Sequence, residues 1–212
     1  MSLSLKDMNE RNIIFAARIV SALFNPFYLP VVGLILLFIF SYLNLLPWAY
    51  KLQVITLVYM CTVLLPTFLI HLYRRYQGWT LIELGVKERR MVPYVIAIVC
   101  YGLCYYLMQV LRIPHFMASI VMAALIIQVV CGIINQWWKI STHTAAIGGV
   151  TGALLAFSLA FSYNPVWWLC IVIVIAGILG TARMILRQHS LSQVVAGFIV
   201  GFLCAHFTIL WI

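Results

Sequence analysis

Acidic side chains are nearly missing from this chain: Asp and Glu together number 4 in 212 residues, against 13 Lys and Arg. Charge of either sign is scarce, at 8%, where a soluble domain carries about a quarter. With 66% of residues hydrophobic, so few polar groups cannot keep the apolar side chains from water, and a water-soluble globule is excluded. Period-two alternation is lacking too. The long runs are apolar on every side, which excludes a transmembrane barrel and leaves helices. No soluble domain, long linker or low-complexity tract breaks the pattern, so residues 1–212 read as a single integral membrane domain.

Two further absences narrow the chemistry. The net charge of +9 has no soluble surface to occupy, so nucleic acid is set aside and an anionic leaflet or a phosphorylated lipid is the expected partner. Six cysteines occur, Cys61, Cys100, Cys104, Cys131, Cys170 and Cys204, all inside apolar runs. Cys100 and Cys104 are four apart, but no His or second Cys pair accompanies them, so no metal site or disulfide is expected and all six read as small buried hydrophobes. The polar stretch Met1 to Asn12 lacks the short apolar core and small-residue cleavage site of a signal peptide, so the first span is expected to anchor the chain uncleaved.

What is present is a series of apolar runs of about 20 residues, enough to cross a ~30 Å hydrocarbon layer. The fold class is therefore all-α, a polytopic transmembrane helix bundle of six or seven spans plus an N-terminal interfacial segment. That segment is Ile13 to Phe24, amphipathic, with Arg18 on its polar side. Spans are expected at Phe27 to Leu46, Leu52 to Tyr73, Met91 to Leu111, His115 to Trp138, Thr144 to Ser162, Val166 to Leu186 and Ser190 to Ile212. The count falls to six if Ile13 to Leu46, or the third and fourth spans, are divided differently. Trp48, Tyr50, Trp137 and Trp138 mark headgroup belts.

Two short stretches depart from the apolar background. One is Lys139-Ile-Ser141-Thr-His143, entering a span. The other is Arg183 to His189, followed by Gln193, between the last two spans. Ionisable groups are expensive near hydrocarbon, so such clusters at span ends are site candidates. Cations beside imidazoles suit an anion, with phosphate the obvious one. Arg183 and Arg187 are four apart and should share a helical face. His189 and Gln193 are also four apart, so the amide can hold one ring nitrogen and leave the other exposed. The helix N-terminus that follows disfavours imidazolium and keeps His189 neutral. Ser141 should cap its helix, whose first-turn N–H groups at Thr144, Ala145 and Ala146 offer an anion site. Lys139 supplies charge and His143 a proton. The plainer alternative is a capped, snorkelling interface. Lys87-Glu-Arg89-Arg90, before Pro93, is by itself a topology signal. By the span count these three clusters fall on one membrane face. Gly197 and Gly201, with the stripe Ala145, Gly149 and Ala153, point to close helix packing. His71, His115 and His206 are isolated.

Together the three clusters resemble the type-2 phosphatidic acid phosphatase family, over roughly Lys87 to Gly201. Ser141 and His143 match its second block, and Arg183 and His189 its third, with the family's spacing, block order and placement at span ends. The resemblance implies that His189 is the nucleophile, forming a phospho-histidine, and that His143 protonates the leaving alkoxide. Phosphate oxygens would be held by Arg183, Ser141, Lys87 and either Arg89 or Arg90, with Lys139 nearby. No cofactor or metal would be required. Ile140, Thr142 and Ala182 depart from the blocks, and Val92 stands where the first block has Arg. Gln193 replaces the family's Asp, so it would orient the ring without neutralising it. The implied function is an integral membrane phosphatase acting on a lipid or polyprenyl phosphate. The alternative is a non-catalytic lipid-phosphate binder, transporter or scaffold on the same fold.

With seven spans, eleven of the 13 cations fall on the site face, and Lys51 and Arg112 opposite. Leaving out Lys87, Arg89, Arg90, Lys139, Arg183 and Arg187 as site residues, five remain against two. The positive-inside rule then puts the site on the cytoplasmic face of what is expected to be a bacterial inner membrane.

Overall fold

The protein is described here by a computed structural model covering residues 5–40, 42–78 and 91–211. It is all-helical. In chain order the helices are α1 (Leu5–Leu23), α2 (Leu29–Phe40), α3 (Trp48–Gln77), α4 (Met91–Val110), α5 (His115–Ile134), α6 (Thr142–Phe161), α7 (Val166–Ile185) and α8 (Leu191–Trp211). Helices α3 to α8 are each long and apolar enough to cross a membrane, and the chain is a multi-pass membrane protein. Pro47, Pro114 and Pro165 occupy the N-cap positions of α3, α5 and α7. A residue without an N–H loses nothing where the helix has no partner to offer.

The segment expected to form the first span is divided. Its α-helical part, α2, has 12 residues, about 18 Å at 1.5 Å per residue, well short of the ~30 Å hydrocarbon layer. A 3-10 turn, Tyr42–Leu45, follows. There the Asn44 carbonyl and side-chain oxygens accept hydrogen bonds from buried Lys51 at 2.6 and 3.3 Å. These bonds tie the turn to the first turn of α3. The amphipathic N-terminal segment is longer than expected. It begins at Leu5, and its C-terminal end does not merely lie on the surface: Val20 and Phe24 pack against the bundle beside Leu179 and Ile147. Arg18 remains exposed.

Pro66 explains the one irregular turn of α3. It cannot donate to the carbonyl of Thr62, and its ring crowds that carbonyl. The helix widens into a π turn at Met60–Leu64, a usual response to an obstructed ladder. Thr62 and Thr67 donate their hydroxyls to the carbonyls of Val58 and Val63.

The closest packing is between α6 and α8, and it is made by glycine. A Cβ at Gly148, Gly152 or Gly201 would fall on the backbone carbonyl of Phe198, Phe202 or Ala145. A Cβ at Gly197 would strike Ser141 and Thr144. Small residues are what allow backbones to approach so closely in lipid. The stripe on α6 runs Ala145, Gly148, Gly152, whereas the expected stripe ran Ala145, Gly149, Ala153. Both spacings lie on one helical face, and Gly149 meets Ile127 of α5 as well as Gly201 and Ala205 of α8. Five of the six cysteines are at least partly buried, but Cys170 on α7 is exposed. That corrects its reading as a core residue: α7 presents Ile171, Ile173, Val174 and Ile178 outward as well, as a lipid-facing helix does.

Candidate active site

Six parts of the chain meet at one end of the bundle: the turn after α1, the starts of α4 and α6, and the ends of α5, α7 and the α7–α8 link. Between them is a cavity of about 240 Å³. Lys139, His143, Arg183, Gln188 and His189 line it, with Asn135, Gln128, Thr142 and Tyr94. The two clusters read from the sequence therefore share one pocket. No carboxylate among the described residues lines it. Nor do the described residues contain a cluster of His, Cys, Asp or Glu suited to a metal ion. Lys87, Arg89 and Arg90 lie outside the described residues, whereas Pro93 of the same segment lines the cavity.

His143 sits in the first turn of α6. Arg183 and His189 lie within electrostatic reach of its ring, and the Ser21 backbone is a hydrogen-bonding neighbour of it. Its Nδ1 is buried without a hydrogen-bond partner. Arg183, in the last turn of α7, donates from Nη1 to the Ser21 hydroxyl at 2.6 Å, while its Nε is buried and unpartnered. Buried polar groups without partners are rare in folded proteins, and each calls for an explanation. Here two of them border one cavity, beside further cations.

His189 is held by Gln193 as expected: Nδ1 and Oε1 are 3.2 Å apart. The same oxygen accepts the Ser190 backbone N–H at 3.1 Å. That second bond matters, because an N–H requires an acceptor and so fixes which end of the amide faces the ring. His189 Nδ1 must then carry the proton, and Nε2 keeps its lone pair. The amide thus fixes the tautomer that a carboxylate would fix.

The turn that presents His189 is strained. The carbonyls of Arg183 and Met184 accept from the N–H groups of Gln188 and Arg187, the paired bonds of a Schellman ending. The left-handed position is filled by Arg187, at φ 51°, where glycine is usual. This corrects the expectation that Arg183 and Arg187 share a helical face. The helix ends at Ile185, and Arg187 is exposed and absent from the cavity lining.

Ser141 also has a different position from the one foreseen for a phosphate ligand. It is fully buried and absent from the lining. Its hydroxyl caps α6 by accepting from the Thr144 N–H at 3.4 Å, and its carbonyl accepts the Ala145 N–H at 3.0 Å. Two of the three N–H groups expected to await an anion are therefore already bonded. The Ser141 N–H in turn donates to the Gln193 carbonyl at 3.4 Å, which ties the start of α6 to the first turn of α8. Sequence reasoning missed Ser21 altogether. It lies 162 residues from Arg183, on a segment whose only visible signal was amphipathic periodicity. His71, His115 and His206 do not line the cavity; His206 stacks on Phe202.

Residues 93–212, more than half of the chain, match the PAP2 superfamily. No curated protein and no solved structure matches the chain. The chain belongs to the PAP2 superfamily, a grouping whose members are generally phosphatases.

Proposed function

We propose that this PAP2-superfamily protein is an integral membrane phosphatase that removes phosphate from a lipid or polyprenyl phosphate. The observation that carries this reading is the pair of orphaned buried atoms, His143 Nδ1 and Arg183 Nε, at a cavity that also holds Lys139 and His189. A phosphate monoester satisfies both and matches the positive lining.

In this reading the His189 Nε2 lone pair attacks phosphorus, and a nitrogen–phosphorus bond forms as the ester oxygen–phosphorus bond breaks. His143 gives a proton to the departing alkoxide. Water then hydrolyses the phospho-histidine, with the proton returning to His143. Arg183 and Lys139 hold the non-bridging oxygens as their charge develops. Lys87 and Arg90 belong to the segment before Pro93 and are proposed as further phosphate ligands; Ser141 supports the site by capping α6. The charge count favours the cytoplasmic face for the site, in what is proposed to be a bacterial inner membrane.

Purified protein in lipid should release inorganic phosphate from such substrates. The His189→Ala variant should lose that activity, and full activity in it would remove the mechanism. Gln193→Asp should raise the rate or leave it unchanged, since a carboxylate also neutralises the imidazolium-like state. A second reading, a non-catalytic lipid-phosphate binder, rests on Gln193, because a serine-protease Asp-to-Asn change at the corresponding position costs about 10⁴ in rate. Tight phospholipid binding without turnover in either Gln193 form would favour it.

A further inference from the structure

Helix α1 is held to the bundle by one end only. Ala17 and Ser21 are buried, and Val20 and Phe24 pack beside Leu179 and Ile147. Towards the N-terminus every residue from Glu10 to Ala16 is exposed. Three large apolar side chains stand in that stretch, Ile13, Ile14 and Phe15, the last 65% exposed. A helical length of about a dozen residues without support is marginal in water, and an uncovered amphipathic helix calls for a surface that covers it. Nothing in the catalytic scheme uses this half of α1.

The charge on α1 says what that surface is. Arg11, Phe15 and Arg18 are spaced four and three apart, so they form one stripe, an aromatic ring between two exposed cations. Glu10 lies about 100° round from Arg11, on the stripe that leads to Ala17 and Ser21. The other end of the helix sets its height. Ser21 bonds to Arg183 in the last turn of α7, a helix long enough to cross the membrane, so α1 meets the bundle at the membrane's edge. Two arginines at that level face lipid phosphates, and a ring between them enters the acyl boundary. A leaflet of anionic lipid matches the stripe, whereas a zwitterionic one offers it no net charge.

Ser21 links this surface to the phosphate cavity. It lies one turn after Arg18, and its hydroxyl holds Arg183 Nη1 at 2.6 Å. Its backbone is a hydrogen-bonding neighbour of the His143 ring. Resting on the phosphatase reading of the cavity, we infer that α1 docks on an anionic leaflet through Arg11, Phe15 and Arg18, and that docking holds Ser21 against Arg183, so that the cavity grips phosphate more tightly on an anionic surface than on a neutral one. An α1 without its surface frays towards the attached end and loosens the Ser21 bond. Lipid charge then sets ligand affinity without any of that lipid entering the cavity. The helix lies outside residues 93–212, which carry the superfamily match, so this control is an addition to the shared core.

The test places the full chain in nanodiscs of phosphatidylcholine alone or with about 30% phosphatidylglycerol as the anionic lipid. Amide hydrogen exchange reports on α1, and titration with inorganic phosphate reports on the cavity. In the anionic discs residues 10–16 should exchange about tenfold more slowly. Phosphate should bind about tenfold more tightly, within what two arginines at a charged leaflet supply. An anionic surface by itself repels phosphate, so the bare electrostatic effect has the opposite sign. Arg11→Gln combined with Arg18→Gln should abolish both responses and leave phosphate binding in neutral discs unchanged. Ser21→Ala should keep the exchange response and lose the phosphate response. Equal exchange in the two discs overturns the inference, as does a Ser21→Ala protein whose phosphate affinity still tightens on anionic lipid. Protection of residues 10–16 that follows the number of copies per disc, and not lipid charge, also overturns it and marks a second copy as the cover. Phosphate release from phosphatidic acid and from a polyprenyl phosphate is assayed separately in detergent. Tighter phosphate binding on anionic discs with no release supports this inference and overturns only the catalytic reading. Release with no such tightening supports catalysis and overturns only the inference.

Discussion

The pairs α6–α8 and α1–α7 frame the same cavity and are built in opposite ways. The α6–α8 pair carries His143 on α6 and, in the first turn of α8, the Gln193 that holds His189 of the preceding link, and its glycines bring backbone against backbone. The α1–α7 pair carries Arg183 and its partner Ser21. Gly177 of α7 has nothing within 4 Å of where a Cβ would be, and α7 faces outward along much of its length. The ring nitrogens proposed to react are thus positioned by rigid packing, which a site demanding sub-ångström placement needs. The guanidinium is fixed by one hydrogen bond from a peripheral helix. Close packing places the proposed nucleophile, and a local polar contact places the proposed anion clamp.

Identical substitutions on the two pairs should have opposite signs. Gly201→Ala pushes a methyl group into the Ala145 carbonyl and should destabilise by about 3 kcal/mol, the upper part of the range for overpacking. In a thermal melt that is a loss of about 10 °C for a chain of this size. An unchanged melt would show that the pair is not in backbone contact. Ser21→Ala acts on the other pair and should leave the fold intact. It frees Arg183 Nη1, whose bond to Ser21 is of the stronger, charge-assisted kind. If Arg183 grips substrate and transition state alike, KM should rise about tenfold with kcat little changed, and Ser21→Thr should restore it. A fall in kcat with KM constant would instead make Arg183 a ligand of the transition state alone. The smallest effect belongs to Gly177→Ala. With open space around it, the methyl group should stabilise the helix by about 0.5–1 kcal/mol and leave phosphate release unaltered. Loss of activity there would mean that α7 has a partner not visible in the isolated chain.

The sequence disclosed what depends on neighbours along a helix. The spans follow from length and hydropathy, and the His189–Gln193 contact follows from a spacing of four. The Ser141 cap follows from residue type before an apolar run. What escaped it depends on tertiary closure. Ser21 reaches Arg183 across 162 residues, and a single serine in an amphipathic stretch carries no mark of that. The span's expected end at Leu186 lies one residue from the observed Ile185, but Arg187 fills a left-handed position that residue type argues against, so its departure from the face of Arg183 was invisible to a spacing of four. The change from α2, 12 residues long, to a 3-10 turn whose Asn44 accepts from Lys51 is local geometry that hydropathy averaging smooths away. The choice between Gly148 and Gly149 as the contact residue is a helix rotation, and either fits the pattern.

The bond between Ser21 and Arg183 has a consequence for how the protein comes into being. A ribosome makes α1 well before α7, so the serine must wait through four long helices, α3 to α6, before the helix that carries its arginine arrives. Every shorter nascent chain has an amphipathic start without its anchor and an incomplete pocket. A polypeptide arrested before α7 and α8 therefore lacks Arg183 and His189 together, and the proposed site is complete only once both helices are in place.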